Sequence, residues 1–300
     1  MTQDTPRFSV PALDAVLGKT FSVLDHGFIR VVDYMGGDNA IAQAARVSYG
    51  RGTKRVSEDR GLIRYLMRHA HSTPFEMCEI KFHIKLPIFV ARQWIRHRTA
   101  NVNEHSARYS VLDNDFYVPE AKDIAQQSLK NKQGRDGVVD SAYAENIRHG
   151  FHEHFEKSYD YYTQLLEGQD EERPGISREL ARSVLPVNVY TQWYWKIDLW
   201  NLFHFVALRV HHNAQYEIRV YAQIMQEIMA LWVPDAHEAF QDYRVGGAHI
   251  SAQALEVLHK MLDNQPVDQE SSGLSPREWK DFTAAFPLRP QHVKDTLSQE

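Results

Sequence analysis

Ile80-Lys-Phe-His-Ile-Lys-Leu86 alternates apolar and polar residues without a break. Ile80, Phe82, Ile84 and Leu86 share one face and Lys81, His83 and Lys85 the other, the period of a half-buried β-strand. Pro87 follows and suits the first position of a helix, expected over about residues 88–95. Upstream, Phe28-Ile-Arg-Val-Val-Asp-Tyr34 is a β-branched run stopped by Gly36-Gly37, a second strand and turn. Asp38 can cap a helix through Ser48, and Ser57-Glu58-Asp59 opens another reaching about Ala70. Residues 1–22 read as a lead-in. Downstream, the apolar pattern stops at Arg96, so 96–108 is expected to be loop-rich, and 119–140 reads as a polar, exposed excursion. Ser141 starts a long helix with Tyr143, Ile147, Phe151, Phe155, Tyr159, Tyr162 and Leu166 on a core-facing side. A short helix runs from Ser177 to Pro186, and Val187 to Trp193 is a strand. Asp198 can cap a helix through Arg209, and Ala214 to Leu231 is another. Residues 251–300 carry two more helix candidates, the second opened by Ser275-Pro-Arg-Glu278 as a capping box. The pattern gives an α+β fold, a small antiparallel sheet with several helices packed around it in a single domain. Strand–helix alternation and Gly-x-Gly-x-x-Gly are both missing from the sequence, which argues against a parallel dinucleotide-binding sheet.

Composition narrows the function classes. The chain has 300 residues, 43% hydrophobic and 24% charged, with a formal net charge of −5. A general polyanion binder is usually basic overall, so long-range attraction to nucleic acid is not expected. The single cysteine, Cys78, excludes an intrachain disulfide framework and a multi-cysteine metal site. It reads as a small buried hydrophobe, with no activating partner nearby in the sequence. No apolar run approaches the roughly 20 residues of a membrane helix, and the N-terminus lacks the pattern of a secretion signal. A soluble, cytoplasmic protein without a membrane role is expected.

The chemistry concentrates in Arg92-Gln-Trp-Ile-Arg-His-Arg-Thr-Ala-Asn-Val-Asn-Glu-His-Ser-Ala-Arg108, which sets four Arg and no Lys against one Glu. Forked guanidinium donors suit phosphate, and Asn101, Asn103 and Ser106 suit sugar or base edges. A solvated basic turn is the plain alternative. A second cluster is His71-Ser-Thr-Pro-Phe-Glu76, with His71 at a helix end and Thr73 and Glu76 able to hold a polar ligand. Arg182 and Arg209 both have apolar sequence neighbours, so each is expected to be buried against a carboxylate or a ligand. His149 and His152 have helical spacing but no third ligand, so no metal site is assigned.

Together these residues resemble the flavin-dependent thymidylate synthases. The family signature is Arg-His-Arg, two residues, Ser, one residue, Asn, two residues, Ser, one residue, Arg. Here Arg96-His97-Arg98, Asn103, Ser106 and Arg108 match it, and Asn101 stands where the family has its first Ser. Four further blocks follow the family's order: His71-x-Thr73-Pro74-Phe75-Glu76, Pro87 to Trp94, Ala181-Arg182-x-Val-Leu-Pro186, and Leu208-Arg209 with Ala214-Gln215-x-Glu217-Ile218. Asp198, Trp200 and Asn213 depart from the residues frequent in the family. The resemblance spans roughly 24–244, leaving 1–23 as lead-in and 245–300 as a helical extension.

The resemblance implies reductive methylation of deoxyuridylate (dUMP) to dTMP. The carbon would come from 5,10-methylenetetrahydrofolate and the reducing equivalents from NADPH through bound FAD, with no cysteine nucleophile. It implies catalytic roles for Arg209, His71 and Ser106, with Arg209 stabilising the uracil ring as an anion. Gln93, Arg96, Glu104, Ser106, Ala107, Arg108, Arg182 and Arg209 would contact dUMP. Ser48, Thr73, Glu76, Arg96, His97, Arg98, Asn103, Glu104 and His204 would contact FAD. A homotetramer with sites assembled from several subunits is implied as well. The rival from another class is a module that holds nucleic-acid phosphates with the arginines of 92–108.

Overall fold

The computed structural model describes residues 8–47, 56–129 and 134–288. They divide into two compact units, with the boundary after Phe240. The first is built on one sheet. Its strands are β1 (Thr20–Val23), β2 (Gly27–Met35), β3 (Glu79–Pro87), β4 (Asn101–Glu104) and β7 (Tyr190–Asp198), in the order β1-β2-β3-β7-β4. Every pairing is antiparallel, as expected.

The alternation in β3 is borne out: Ile80, Phe82, Ile84 and Leu86 are all buried. They lie opposite Ile197, Trp195, Trp193 and Thr191 of β7, so both central strands turn apolar residues to one face. Three helices supply side chains to that face: α5 (Ile88–Trp94), α8 (Leu199–Arg209) and α9 (Tyr216–Trp232). Their meeting point is Trp94, fully buried, with ring centroids 4.5 Å from Phe205, 5.3 Å from Trp195 and 5.8 Å from Trp193 and Tyr221. Burying one such indole contributes roughly 4–6 kcal/mol of transfer free energy. Asp198 caps α8 as expected, its carboxylate accepting from the Asn201 amide at 2.9 Å.

Several boundaries differ from the sequence reading. The stretch taken as a lead-in holds a short helix, α1 (Pro11–Asp14), and the edge strand β1. The β1–β2 turn needs glycine at position 27, where a Cβ would meet the Tyr221 hydroxyl at 2.1 Å and the Val23 carbonyl at 2.7 Å. Pro87 is the last residue of β3 and the N-cap of α5, one position earlier than expected. The expected strand 187–193 lies at 190–198, because its alternation continues through Trp193, Trp195 and Ile197. The segment 96–108 is not wholly loop, since it carries β4 on the edge of the sheet.

A second apolar cluster forms where α6 (Ser141–Glu167) packs through Phe155 and Tyr162 against Ala107, Leu112, Ala181 and Val189. The helix is present as expected, but its stripe is not all core. Tyr143 is 58% exposed and Phe151 40% exposed, and Ile147 and Phe151 line an open cleft of about 730 Å³. The excursion 119–140 folds back as a hairpin, β5 (Ala125–Gln127) and β6 (Arg135–Val138), and contributes to the wall of that cleft. Among the remaining helices are α2 (Asp38–Val47), α3 (Val56–Arg68), α4 (Thr73–Glu76), α7 (Arg178–Ala181) and α10 (Pro234–Phe240).

The second unit has its own core. Ala254, Val257, Met261, Val267, Leu274 and Phe282 pack together from α11 (Ala252–Leu262), α12 (Gln269–Ser272), α13 (Pro276–Ala285) and the segments between. The Ser275–Glu278 capping box forms as expected, while the one-turn α12 adds a third helix to the two expected. No helix of the described residues is long and apolar enough to cross a membrane.

Candidate active site

Trp94 anchors the signature segment. With its indole buried, the chain turns out of α5, the His97 amide donates to the Trp94 carbonyl at 3.0 Å, and Arg96 and Arg98 stand exposed. Arg92, Arg96 and Arg98 have no hydrogen-bond or ion-pair partner among the described residues, in a chain of net charge −5. Guanidinium groups left without carboxylates suit the phosphates of a ligand.

His97 turns inward. Its ring meets the edge of Phe205 at 4.9 Å and lies 5.8 Å from His204, on the same helix. Burial, then the charge of Arg209 and the neighbouring His204, push its pKa down to about 4. The imidazole is therefore neutral at physiological pH, and its Nε2 accepts from Arg209 Nε at 3.1 Å. A second guanidinium nitrogen, Nη2, donates to the Gln93 carbonyl at 3.4 Å. Arg209 is half-buried, less enclosed than its apolar sequence neighbours suggest, and burial lowers its pKa. It has no carboxylate partner among the described residues, so its charge meets only neutral acceptors. Its remaining N–H groups are free to face an anion.

β4 places the next residues. Asn103 lies opposite Tyr194 and Glu104 opposite Trp193. The Glu104 carboxylate accepts from the Thr191 hydroxyl at 2.8 Å. Both Asn103 and Glu104 border a polar groove of about 420 Å³ on the sheet, shared with His83, Lys85 and Tyr190. A turn follows in which the Ser106 hydroxyl accepts from the Arg108 amide at 3.3 Å and Ala107 is buried as the anchor. Arg108 pairs with Glu179 at 3.0 Å. Arg182 Nε donates to the Glu179 carbonyl at 3.3 Å, so both arginines meet at that residue. Arg182 is exposed, against expectation: α7 is a single turn whose Leu180 is itself 59% exposed, and apolar sequence neighbours do not enclose it.

The third group lies at the end of α3. Ala70 takes φ 55°, the left-handed conformation, and the His71 amide reaches back to the Leu66 carbonyl at 2.9 Å. His71 is left exposed, its ring 5.9 Å from Tyr65. Thr73 is exposed and Glu76 half-buried on α4, which buried Phe75 ties to Trp200 and Phe203 of α8. Helix α8 thus presents His204 and Arg209 to one group while bracing the other. Ser48 lies outside the described residues.

Within one chain most of the expected site residues fall into three groups: Gln93, His97, His204 and Arg209; Asn103, Glu104, Ser106, Arg108 and Arg182; and His71, Thr73 and Glu76. Arg96 and Arg98 stand exposed beside the first, and Ala107 is buried within the second. No hydrogen bond or ion pair between the described residues joins one group to another. Sequence reasoning gave no role to Glu179, Thr191, Gln215 or Glu217. Gln215 and Glu217 had a signal in their block, but their partners lie on other elements. Cys78 is fully buried, donates to the Gly37 carbonyl at 3.6 Å, and has its thiol pKa pushed up to about 12, chiefly by burial. That suits a packing residue and not a nucleophile. His149 pairs with Glu153 at 3.2 Å, and no cluster of three metal-ligating side chains occurs among the described residues.

Residues 30–235 match the family model described as thymidylate synthase complementing protein. Similar curated proteins include one from Rickettsia bellii, 56% identical over 94% of this chain and 99% of its own length. Another, from Gluconobacter oxydans, is 57% identical over 95% of this chain and 93% of its own. Both are named flavin-dependent thymidylate synthase. Among solved structures, the UMP/dUMP methylase PolB from Streptomyces cacaoi, bound with 5-Br dUMP, aligns with a TM-score of 0.66 and 32% identity. The alignment covers 75% of this chain and 99% of that one.

Proposed function

The chain belongs to the flavin-dependent thymidylate synthases, and we propose that the three residue groups bind and activate dUMP for methylation at C5. The carbon donor is 5,10-methylenetetrahydrofolate and the reductant NADPH, with FAD as the carrier. When bound, FAD supplies the hydride chemistry, and the protein supplies placement and charge. The donor set fits such a group: Arg96 and Arg98 offer unpaired guanidinium groups, with His97, Asn103, Glu104 and His204 close by in the sequence or fold. Thr73, Glu76 and Ser48 complete the proposed flavin contacts.

Arg108 and Arg182, already together at Glu179, bind the nucleotide phosphate. Ser106, Ala107, Glu104, Arg96 and Gln93 shape the rest of the nucleotide site. Arg209 faces the uracil ring. Methylation at C5 requires electron density there, which an anionic ring supplies and a cation beside it stabilises. The observation that carries this reading is the neutral character of Arg209's partners. A carboxylate in place of His97 would neutralise the guanidinium before substrate arrived; a neutral imidazole orients it and leaves its charge available. His71 stands where flavin and folate meet. No thiolate is needed, which agrees with the inaccessible Cys78.

Self-association into a homotetramer, with each site assembled from several copies, is part of the proposal. Its support is that apolar side chains beside the expected site residues are exposed: Tyr109 at 79%, Leu180 at 59% and Leu208 at 51%. The enzyme is expected to act in the cytoplasm. The direct test is flavin retention. The purified protein, or apoprotein given FAD, should show the two visible bands of an oxidised flavin at one per chain. Protein that stays colourless with added FAD would refute the reading.

A further inference from the structure

Three indoles, those of Trp94, Trp193 and Trp195, wall a recess of about 190 Å³ at the start of the signature segment, and His97 and Arg98 also line it. Trp94 is fully buried and Trp193 is 2% exposed, and the Nε1–H of neither has a hydrogen-bond acceptor among the described residues. A buried donor left unpaired is costly, and two of them bordering one recess point to an acceptor from outside the chain. The two rings meet edge to face, with centroids 5.8 Å apart. His97 adds a third donor. Its Nε2 accepts from Arg209, so the neutral ring carries its hydrogen on Nδ1. Arg98 adds a guanidinium that has no partner among the described residues. Every polar side chain of the lining therefore donates, and no carboxylate, hydroxyl or amide side chain is among them.

We propose that this recess binds one weakly hydrated monovalent anion of halide size, held between the indole N–H groups of Trp94 and Trp193. Water fits it poorly: a water molecule can accept from both indoles, but its own hydrogens find no side-chain acceptor there. A divalent oxyanion fits poorly too, since the walls of indole, Ile95, Ala100 and Val102 offer little to replace its hydration. A large monovalent anion loses less on dehydration and suits the positive edges of aromatic rings. With the Nδ1–H of His97 among the donors, the same imidazole is held by the anion at one nitrogen and by Arg209 at the other. The inference stands apart from the proposed function. His97 and Arg98 are shared with the proposed flavin contacts, but the two indoles are not.

The test is the chloride NMR line width of sodium chloride solutions of the purified protein, with and without added FAD, at an ionic strength held constant with sodium sulfate. Chloride exchanging with a protein site broadens the line. The excess broadening is compared among wild type, Trp193→Phe and Trp94→Phe, each checked for fold by circular dichroism; phenylalanine keeps an aromatic ring and removes the N–H. Wild type should show an excess that sodium bromide reverses at lower concentration than sodium fluoride. Each variant should bind chloride about tenfold more weakly, the scale of one lost hydrogen bond to a charged group. Should Trp94→Phe fail to fold, Trp193→Phe carries the test alone. No excess broadening in wild type overturns the inference. Undiminished broadening in the folded variants overturns it as well, since chloride then sits on other cationic groups. Broadening seen only without FAD also overturns it and gives the recess to the flavin. None of these results bears on the proposed methylation, which flavin retention tests separately.

Discussion

Arg209 donates through Nε to Nε2 of His97 at 3.1 Å, which ties the end of α8 to the signature segment that follows α5. The bond has a direction. Because the imidazole is neutral it accepts, and because it accepts it turns the guanidinium without cancelling its charge. A histidine in a segment of four arginines thus serves to aim a fifth.

Removing that aimed charge is the first expectation. Arg209→Ala should retain FAD at wild-type stoichiometry and lose about 100-fold or more in turnover, the magnitude of one preorganised electrostatic donor. Steady-state kinetics beside a flavin absorbance spectrum separate the two readings. Turnover equal to wild type would remove Arg209 from its role at the uracil ring.

The second concerns pH. The folded state holds His97 near pKa 4, whereas an unfolded chain titrates it near 6.5. Between those values the unfolded state binds the proton that the folded state refuses, so stability rises with pH across the window. The contribution is fully present above about 6.5 and is lost as pH falls through 4. His97→Gln keeps an acceptor for Arg209 and removes the titration. Urea midpoints measured from pH 4 to 7 should fall less steeply in the variant than in wild type. Parallel curves would show that His97 is not held neutral.

Cys78→Ser is expected to leave turnover within a few-fold of wild type, because the buried thiol is used only for packing and for a bond to the Gly37 carbonyl. The native thiol should also resist Ellman's reagent until the protein unfolds. Complete loss of activity in a folded Cys78→Ser enzyme would reopen a thiol mechanism.

Ala70 holds the left-handed conformation at the end of α3, a position that glycine occupies without steric cost. Ala70→Gly should stabilise the protein by up to about 1 kcal/mol, the strain of one such residue less the added freedom of the unfolded chain. Thermal unfolding reads this directly. A large destabilisation would mean that the turn before His71 depends on the alanine methyl group.

What was legible in the sequence was what repeats locally. The alternation of Ile80 to Leu86 located the central strand, and Asp198 and Ser275 marked helix starts that the structure keeps. The signature residues were legible as chemistry. Long-range pairing was not legible. Asn101-Val-Asn-Glu104 is exposed throughout and carries no alternation, so only its partner β7 reveals it as a strand. Arg182 and Arg209 have similar apolar neighbours in sequence, yet only Arg209 is half-buried, since α8 packs along its length and α7 lasts one turn. The hydrogen bonds from Gln93 to Gln215 and from Gln215 to Glu217 join α5 to the start of α9 and depend on the packing between them.

Methylation of dUMP at C5 by flavin chemistry, without a protein thiolate, requires the C5 hydrogen to leave. Release of tritium from dUMP labelled at C5 tests it most directly, measured with FAD-loaded enzyme, NADPH and 5,10-methylenetetrahydrofolate. Tritium release should match dTMP formation, persist in Cys78→Ser and fall about 100-fold in Arg209→Ala. No tritium release from the flavin-loaded wild-type enzyme with all three substrates present would contradict it.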